Sequence, residues 1–148
     1  MSKPLVSHAI EVNVRWSEAD PAGIVFYPRF FEWFDLATEA LFESLELPWA
    51  EIFPKFRVVG VPIMESSARF RSPVRYGDVV RIRSTVTEVR AKTFRVEHEV
   101  AVGDRQCASG FEVRAWVGCP AEPRGRLKAR PFPEEVAARL KGQGGVYA

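Results

Sequence analysis

A long and strongly apolar helix is the feature that most limits how this chain can fold. From Arg29 to Leu47, apolar residues recur at steps of three and four, as Phe30, Phe34 and Ala37 show, and further aromatic residues widen the apolar arc. Charged residues occupy only a narrow stripe on the opposite side. Because only that thin stripe tolerates water, other elements of the fold must enclose most of the helix surface.

The rest of the chain predicts the strands that would enclose this helix. Residues 9–16 alternate between apolar and polar side chains, which is typical of a half-buried strand, and we expect 49–56 to be a short helical or irregular connection. Four further strand-like runs follow, separated by turn signals: Val58–Phe70, Val79–Val89, Thr93–Val102 and Cys107–Val117. The short gaps between them imply antiparallel neighbours. We predict an α+β fold in which one antiparallel sheet curls around the helix.

A sheet with a single covering helix leaves its edge strands open. Pairing of two copies would protect these edges, so we predict a homodimer with a continuous sheet, which could double again into a homotetramer. The 148 residues suit one domain, and no repeat or low-complexity linker interrupts them. The tail from Cys119 is rich in Pro and Arg, with a short amphipathic helix candidate at Pro133–Leu140 and a loose end at 142–148.

Composition narrows the classes of function. The formal net charge of +2 argues for neither a nucleic-acid partner nor a membrane surface, and no apolar run is long enough to span a bilayer. Cys107 and Cys119 form no Cys-x-x-Cys motif, and the start of the chain lacks the apolar region of a signal peptide, so we expect reduced, buried thiols in a cytoplasmic protein. His8 and His98 are far apart and outside any ligand-pair spacing, which argues against a metal site.

The basic residues are unevenly distributed. One group lies around the middle strands, and a second crowds the C-terminal segment at Arg124, Arg126, Lys128 and Arg130. Alternate arginines on strands usually mark a solvated face. The same groups could form a basic rim for a phosphorylated small ligand, and both interpretations stay open at this point.

The segment before the helix carries the clearest chemical signal. Residues 15–28 read RWSEADPAGIVFYP, so a strand ends in two carboxylates and passes through Pro-Ala-Gly into the aromatic helix. The start of a helix exposes N–H groups without intrahelical partners, and together with the helix dipole they favour a developing oxyanion. An ionised Asp20 just upstream could attack an activated acyl carbon or take a proton from water, and a thioester is activated enough for either.

The same residues also have structural explanations. Asp before Pro commonly forms turns, and an acid near a helix start is a common cap, so Asp20 could serve the fold alone. We interpret Glu18 as a solvated loop acid and His98 as a core or interface histidine. Ser66 and Ser67 lack the Gly-x-Ser-x-Gly context of a serine nucleophile, and the sequence contains no glycine-rich phosphate loop.

Residues 20–35, DPAGIVFYPRFFEWFD, resemble the signature segment of hotdog-fold acyl-CoA thioesterases, in particular the 4-hydroxybenzoyl-CoA thioesterase family. The stretches 57–78, RVVGVPIMESSARFRSPVRYGD, and 89–100, VRAKTFRVEHEV, support the resemblance. This family implies a curved antiparallel sheet wrapped around one long central helix. The resemblance covers about residues 8–118, which predicts a single hotdog thioesterase domain over the chain with a C-terminal extension at 119–148.

The resemblance also implies an activity and a set of site residues. The reaction is hydrolysis of acyl-CoA to free acid and coenzyme A, without a cofactor, and an aromatic, 4-hydroxybenzoyl-like acyl group is a candidate substrate. Asp20 is implied as the catalytic carboxylate, nucleophile or general base, and the Tyr27 N–H as the group that polarises the thioester carbonyl. Arg90 and Lys92 are implied as contacts for the coenzyme A phosphates, although a basic surface turn is an equally good explanation. Two copies would contribute to each active site.

Departures from the family pattern and two alternatives remain. Glu18 stands where relatives often have Asp, and Pro28 stands where a short-chain branch has His, which argues against a histidine-assisted mechanism. Val61 replaces a hydroxyl residue found before Pro-Ile in some aromatic-acyl members, which bears on recognition of a hydroxylated ring. A non-catalytic acyl-CoA-binding module uses the same scaffold. An enoyl-CoA hydratase or dehydratase also uses this scaffold. Such enzymes need a His–acid pair beside the thioester, and His8 and His98 are poorly placed to provide its histidine.

Overall fold

Helix α1 (Pro28–Ser44) lies against one face of a five-stranded antiparallel sheet. The structure, a computed structural model, describes residues 5–143. The predicted central helix is confirmed, and it ends earlier than the predicted Leu47. It stops because Glu46 adopts a left-handed φ of 59° and the Leu47 N–H bonds back to the Phe42 carbonyl at 2.9 Å, which satisfies one of the last free carbonyls of the helix.

The strands form two sheets. In chain order the strands are β1 (Ser7–Asn13), β2 (Val58–Gly60), β3 (Ile63–Phe70), β4 (Val79–Val89), β5 (Thr93–Val102), β6 (Arg105–Ala115), β7 (Val117–Gly118) and β8 (Lys128–Ala129). The large sheet has the order β1-β4-β5-β6-β3 and the small one β2-β7-β8, with every pairing antiparallel. The two remaining helices are α2 (Trp49–Phe56) and α3 (Glu134–Leu140).

Some details of the predicted sheet were wrong. The run 58–70 contains two strands, because Pro62 has no N–H to continue a ladder, and its halves pair with β7 and β6. The first strand ends at Asn13, so Trp16 lies in a 3₁₀ turn with 76% of its surface exposed instead of on a buried strand face. Cys119 is exposed, whereas Cys107 is buried as expected.

The helix–sheet core is divided along α1 into two apolar clusters. The front cluster, at the start of the helix, contains Phe30, Trp33 and Phe34, and the rear cluster contains Leu41 and Phe42. Both packing faces follow from the three- and four-residue spacing of the apolar side chains. Between the clusters lies a buried polar layer formed by Thr38, Ser84, His98, Glu112 and Arg114.

The C-terminal segment packs onto the rear cluster. Helix α3 agrees with the candidate at 133–140, and Phe132, Val136 and Leu140 are buried in the core. The predicted loose end lies mostly outside the described residues. Within residues 5–143, no helix has the length and apolar character needed to cross a membrane.

Candidate active site

Asp20 lies in a tight turn immediately before α1. Its N–H donates to the Ile24 carbonyl at 2.8 Å, and the Gly23 N–H donates back to the Asp20 carbonyl at 2.9 Å. Gly23 has φ of 82°, a conformation that glycine adopts without the strain of a side chain. The sequence Pro-Ala-Gly therefore supplies the turn that presents Asp20 at the helix entrance.

The Asp20 carboxylate has one oxygen in the turn and one oxygen free. Oδ1 accepts the Ala22 N–H at 2.8 Å, while no donor among residues 5–143 bonds to Oδ2. The side chain is half-buried. The structural explanation of Asp20 is thus correct for Oδ1, and Oδ2 remains available to a reactant.

Glu18 is held in place by two donors, so its interpretation as a solvated loop acid was wrong. Its Oε1 accepts the Arg15 N–H at 2.8 Å, and its Oε2 accepts the Trp33 Nε1–H at 2.9 Å. The 3₁₀ turn at 16–18 folds the side chain back toward α1. The bond from the Arg15 N–H to Glu18, three residues on, is one half of a capping box, but Arg15 is not the Ser or Thr of the capping-box signature, so the sequence carried no clear signal for it. The contact with Trp33 had no sequence signal either.

The start of α1 leaves one backbone donor unused. Pro28 has no N–H, the Arg29 N–H donates to the Phe26 carbonyl at 2.9 Å, and the Phe30 N–H donates to the Tyr27 carbonyl at 3.1 Å. In the described part of the chain, the Tyr27 N–H has no acceptor. It is therefore the donor that this helix start offers to a ligand.

A mostly apolar cavity of about 420 Å³ adjoins this helix start. Tyr27 and Phe30 form one side, and Phe70 and Val74 form another. The rings of Phe30 and Phe70 meet edge to face with their centroids 5.0 Å apart. Asp20 lies on the loop that leads into this wall and does not itself line the cavity within one chain.

Residues 14–140 match the Thioesterase-like superfamily. The chain belongs to this superfamily. The match extends beyond the resemblance at 8–118 and includes the C-terminal segment that carries β8 and α3.

Three relatives of this thioesterase illustrate the match. A 4-hydroxybenzoyl-CoA thioesterase from Pseudomonas sp. (strain CBS-3) is 32% identical over 96 residues, which cover 64% of this chain and 68% of that protein. A 1,4-dihydroxy-2-naphthoyl-CoA hydrolase from Synechococcus sp. (strain CC9605) is 31% identical over 102 residues, which cover 66% of this chain and 68% of that protein. The solved structure of a gentisyl-coenzyme A thioesterase has a TM-score of 0.78 at 32% identity and covers 87% of this chain and 98% of that chain.

These comparisons confirm the predicted hotdog fold and the predicted reaction class. The thioesterase is a thioester hydrolase with a central helix packed on an antiparallel sheet.

Arg90 and Lys92 lie far from Asp20 in the thioesterase chain. They flank the β4–β5 turn, which the Arg90 N–H closes by donating to the Thr93 carbonyl at 2.8 Å. The Asp20 turn lies at the other end of β4, where Val79 pairs with Asn13. Because a strand rises about 3.3 Å per residue, β4 separates the two regions by roughly 30 Å. One chain brings Asp20 and Tyr27 onto the same loop but does not bring Arg90 and Lys92 to them.

The C-terminal segment runs beside the β4–β5 turn and adds positive charge there. The Lys92 carbonyl accepts the Trp116 N–H at 2.9 Å, and the Trp116 carbonyl accepts the Arg130 N–H at 2.8 Å. Lys128 lies on β8, two residues before Arg130. The basic turn at 90–92 and the C-terminal basic segment therefore meet at one end of the thioesterase, which we call the basic end: Arg90, Lys92, Lys128 and Arg130.

The thioesterase also contains a His–acid pair, but it is buried in the core. The His98 Nε2 and Glu112 Oε1 atoms are 2.9 Å apart, and the two side chains are only 0% and 1% exposed. Burial alone would raise the pKa of Glu112, but the hydrogen bond from His98 and the charge of Arg114 outweigh it and lower that pKa to about 2. His98 is thus a core histidine, as predicted. The pair is closed to substrate, which removes the support for a hydratase or dehydratase.

No group of three or more His, Cys, Asp or Glu side chains in residues 5–143 clusters in a way that could hold a metal ion.

Proposed function

We propose that this thioesterase hydrolyses aromatic acyl-CoA, with Asp20 as the reacting carboxylate and the Tyr27 N–H as the donor to the thioester carbonyl. The observation that carries the proposal is the pairing of two unused groups on one loop: the free Oδ2 of Asp20 and the free N–H of Tyr27. The three relatives support the aromatic acyl group, because each acts on the coenzyme A thioester of an aromatic acid.

Two mechanisms fit a carboxylate with one fixed and one free oxygen. As a nucleophile, Oδ2 would attack the carbonyl carbon, release the coenzyme A thiolate and leave a mixed anhydride that water then hydrolyses. As a general base, Oδ2 would take a proton from water as the water oxygen attacks the same carbon and the thiolate leaves. In both, the carbonyl oxygen gains negative charge, which the Tyr27 N–H and the positive end of the α1 dipole stabilise.

The cavity beside Tyr27 is the proposed site of the acyl group. A carbonyl bound to the Tyr27 N–H would place its attached ring next to Phe30 and Phe70, where an aromatic ring gains edge-to-face contacts as well as apolar burial. Val61, in contrast, is buried in the rear cluster and offers no hydroxyl for a ring substituent. The Val61 side chain thus adds no hydrogen bond to a ring substituent.

The basic end is the proposed site of the coenzyme A phosphates. Arginine and lysine form charge-assisted hydrogen bonds with phosphate, and four such side chains lie at this end. Since β4 separates it from Asp20 in one chain, the basic end would serve the Asp20 of a second copy. This supports the homodimer or homotetramer, and the unpaired edge of β3 with its exposed Ile63 and Met64 offers a surface for such a contact. A cytoplasmic location is part of the same proposal.

A thiol-release assay tests the proposed function directly. The purified protein is incubated with short-chain, long-chain and aromatic acyl-CoAs, and free coenzyme A is measured against time. We expect the highest kcat/KM for aromatic acyl groups. Stabilisation by acyl-CoA without any thiol release would instead indicate a binding module, and a clear preference for aliphatic chains would contradict the aromatic assignment.

A further inference from the structure

We infer that Glu18 and Trp33 form a positioning pair that fixes the Asp20 turn to helix α1; this rests on the proposed role of Asp20. Neither residue touches the reacting atoms in this arrangement. Their effect is on where the free oxygen of Asp20 lies relative to the Tyr27 N–H.

Glu18 is the point where both ends of the loop are joined. Its side chain connects to α1 through Trp33 at 2.9 Å and to the segment after β1 through the Arg15 N–H at 2.8 Å. Its backbone carbonyl accepts the Phe26 N–H at 2.9 Å, on the far side of the turn and one residue before Tyr27. The loop thus leaves from Glu18 and returns to it, with Asp20 between the two contacts.

Trp33 is a rigid anchor for this contact. It is 3% exposed and packs in the front cluster, with its ring centroid 5.0 Å from that of Phe30. The Glu18 carboxylate therefore bonds to a side chain that cannot move without repacking the core. A bond between an ionised acceptor and an N–H donor is also stronger than one between neutral groups.

The tip of the turn has little other support. Pro21, Ala22 and Gly23 are exposed, and just after the turn the Val25 N–H donates to the Val74 carbonyl, in the loop between β3 and β4, at 2.7 Å. A reacting group has to be held within a fraction of an ångström, and a displacement of about 1 Å can lower the rate on the order of 100-fold. Glu18 supplies the side-chain contact that this exposed tip lacks.

The test compares kcat and KM for Glu18→Gln, Trp33→Phe and the double variant on an acyl-CoA that the parent hydrolyses. Gln keeps the size of the side chain but offers one acceptor oxygen where Glu offers two, and Phe removes the indole donor. We expect each single variant to lower kcat about tenfold or more with little change in KM. The double variant should lose no more activity than the more impaired of the two single variants, because both substitutions break the same contact.

Trp49→Phe is the matched control. The Trp49 indole N–H is buried without a hydrogen-bond partner among residues 5–143, so deleting it removes no contact of this kind, and we expect parental kcat. If Trp33→Phe does not fold, Glu18→Gln and Glu18→Ala carry the test, since Glu18 is only half-buried.

Four outcomes would overturn the inference. Parental kcat in both single variants, with Asp20→Asn inactive, would remove the positioning role and leave the proposed function intact. Losses that multiply in the double variant would show that the two residues act separately. A shift of the acidic limb of the kcat/KM profile in Glu18→Gln but not in Trp33→Phe would show that Glu18 acts by charge. If Asp20→Asn itself keeps parental activity, the role of Asp20 fails first, and the positioning role fails with it.

Discussion

The Thr38 hydroxyl donates to Glu112 Oε1 at 2.6 Å, in the buried polar layer between helix α1 and strand β6. The same carboxylate receives Arg114 Nη2 on its other oxygen at 2.8 Å, and Arg114 in turn reaches the Asp35 carboxylate at 2.6 Å. The helix is therefore fixed to the sheet by a charged network as well as by two apolar clusters. Such a network constrains how α1 can rotate about its axis.

We predict that Glu112 makes the fold sensitive to acid. Its pKa is lowered from 4.5 to about 2, so its contribution to the free energy of unfolding is complete above pH 4.5 and disappears as the pH falls through about 2. A pKa shift of this size contributes about 3 kcal/mol to the free energy of unfolding at neutral pH. About 2 kcal/mol of this contribution is lost by pH 3.

Urea unfolding at pH 7 and pH 3 measures this contribution. Glu112→Gln should lower the free energy of unfolding at pH 7 by about 3 kcal/mol, because it leaves Arg114 without its buried partner, and should reduce the loss between the two pH values. Glu99→Gln, on the exposed face of β5, is the control and should behave as the parent. An equal pH dependence in the Glu112→Gln and parent proteins would contradict the assignment.

The parts of the fold that could be predicted from sequence are those with a local cause. Strands β4 and β5 have the bounds predicted from alternating side chains, because a glycine turn and a basic turn delimit them. Helix α1 follows from its apolar spacing. The Asp20 turn follows from Pro-Ala-Gly, whose backbone preferences are independent of the rest of the chain.

The parts that could not be predicted depend on contacts between distant segments. The periodicity of β3 says nothing about its partner, and the strand joins β6 at the far edge of the sheet instead of its neighbour β4. The bond between Glu18 and Trp33 joins a loop to a helix face, and no spacing rule covers it. The separation of Asp20 from Arg90 likewise follows from the antiparallel register, which sequence patterns leave undetermined.

We predict that Asp20→Asn lowers turnover by orders of magnitude and keeps the fold. The amide oxygen can still accept the Ala22 N–H that Asp20 Oδ1 accepts, so the turn survives, but an amide neither attacks the carbonyl nor takes a proton from water. Thiol release and thermal unfolding of the same preparation measure both effects. Asp104→Asn, in the exposed β5–β6 turn, is the matched control and should show parental values for each. Parental rates for Asp20→Asn on several acyl-CoAs would show that another group does the chemistry.

Single-turnover hydrolysis in oxygen-18 water distinguishes the two mechanisms of Asp20. If Asp20 attacks the thioester, water then opens the mixed anhydride. We expect label in the protein when that water attacks the Asp20 carbonyl carbon. If Asp20 acts as a base, label enters only the product acid. Mass analysis of the peptide containing Asp20 is the measurement. Label in that peptide would show the anhydride route, whereas label in the acid alone would exclude attack of water at the Asp20 carbonyl carbon.

The two-copy active site predicts a specific effect of the basic end. Replacing Arg90 and Lys92 with Ala should raise KM for acyl-CoA tenfold or more and leave kcat nearly unchanged, because the phosphates lie far from the reacting carbon. The same variant should hydrolyse an N-acetylcysteamine thioester, which lacks the nucleotide, at the parental rate. Arg83→Ala, at the centre of β4 on its exposed face, controls for loss of positive charge.

Mixed oligomers provide the decisive test of this arrangement. When Asp20→Asn and the Arg90→Ala, Lys92→Ala variant are co-expressed, a site built from two chains regains one complete set in each mixed dimer, namely Asp20 from one copy and the basic end from the other. We therefore expect the mixture to hydrolyse acyl-CoA, at a concentration below the raised KM, several-fold faster than the two variants purified separately. A site built within one chain would regain nothing, because every chain would still carry a defect. Activity no greater than the sum of the separate variants would contradict the two-copy site. The basic end would then serve the Asp20 of its own chain or play no part in binding.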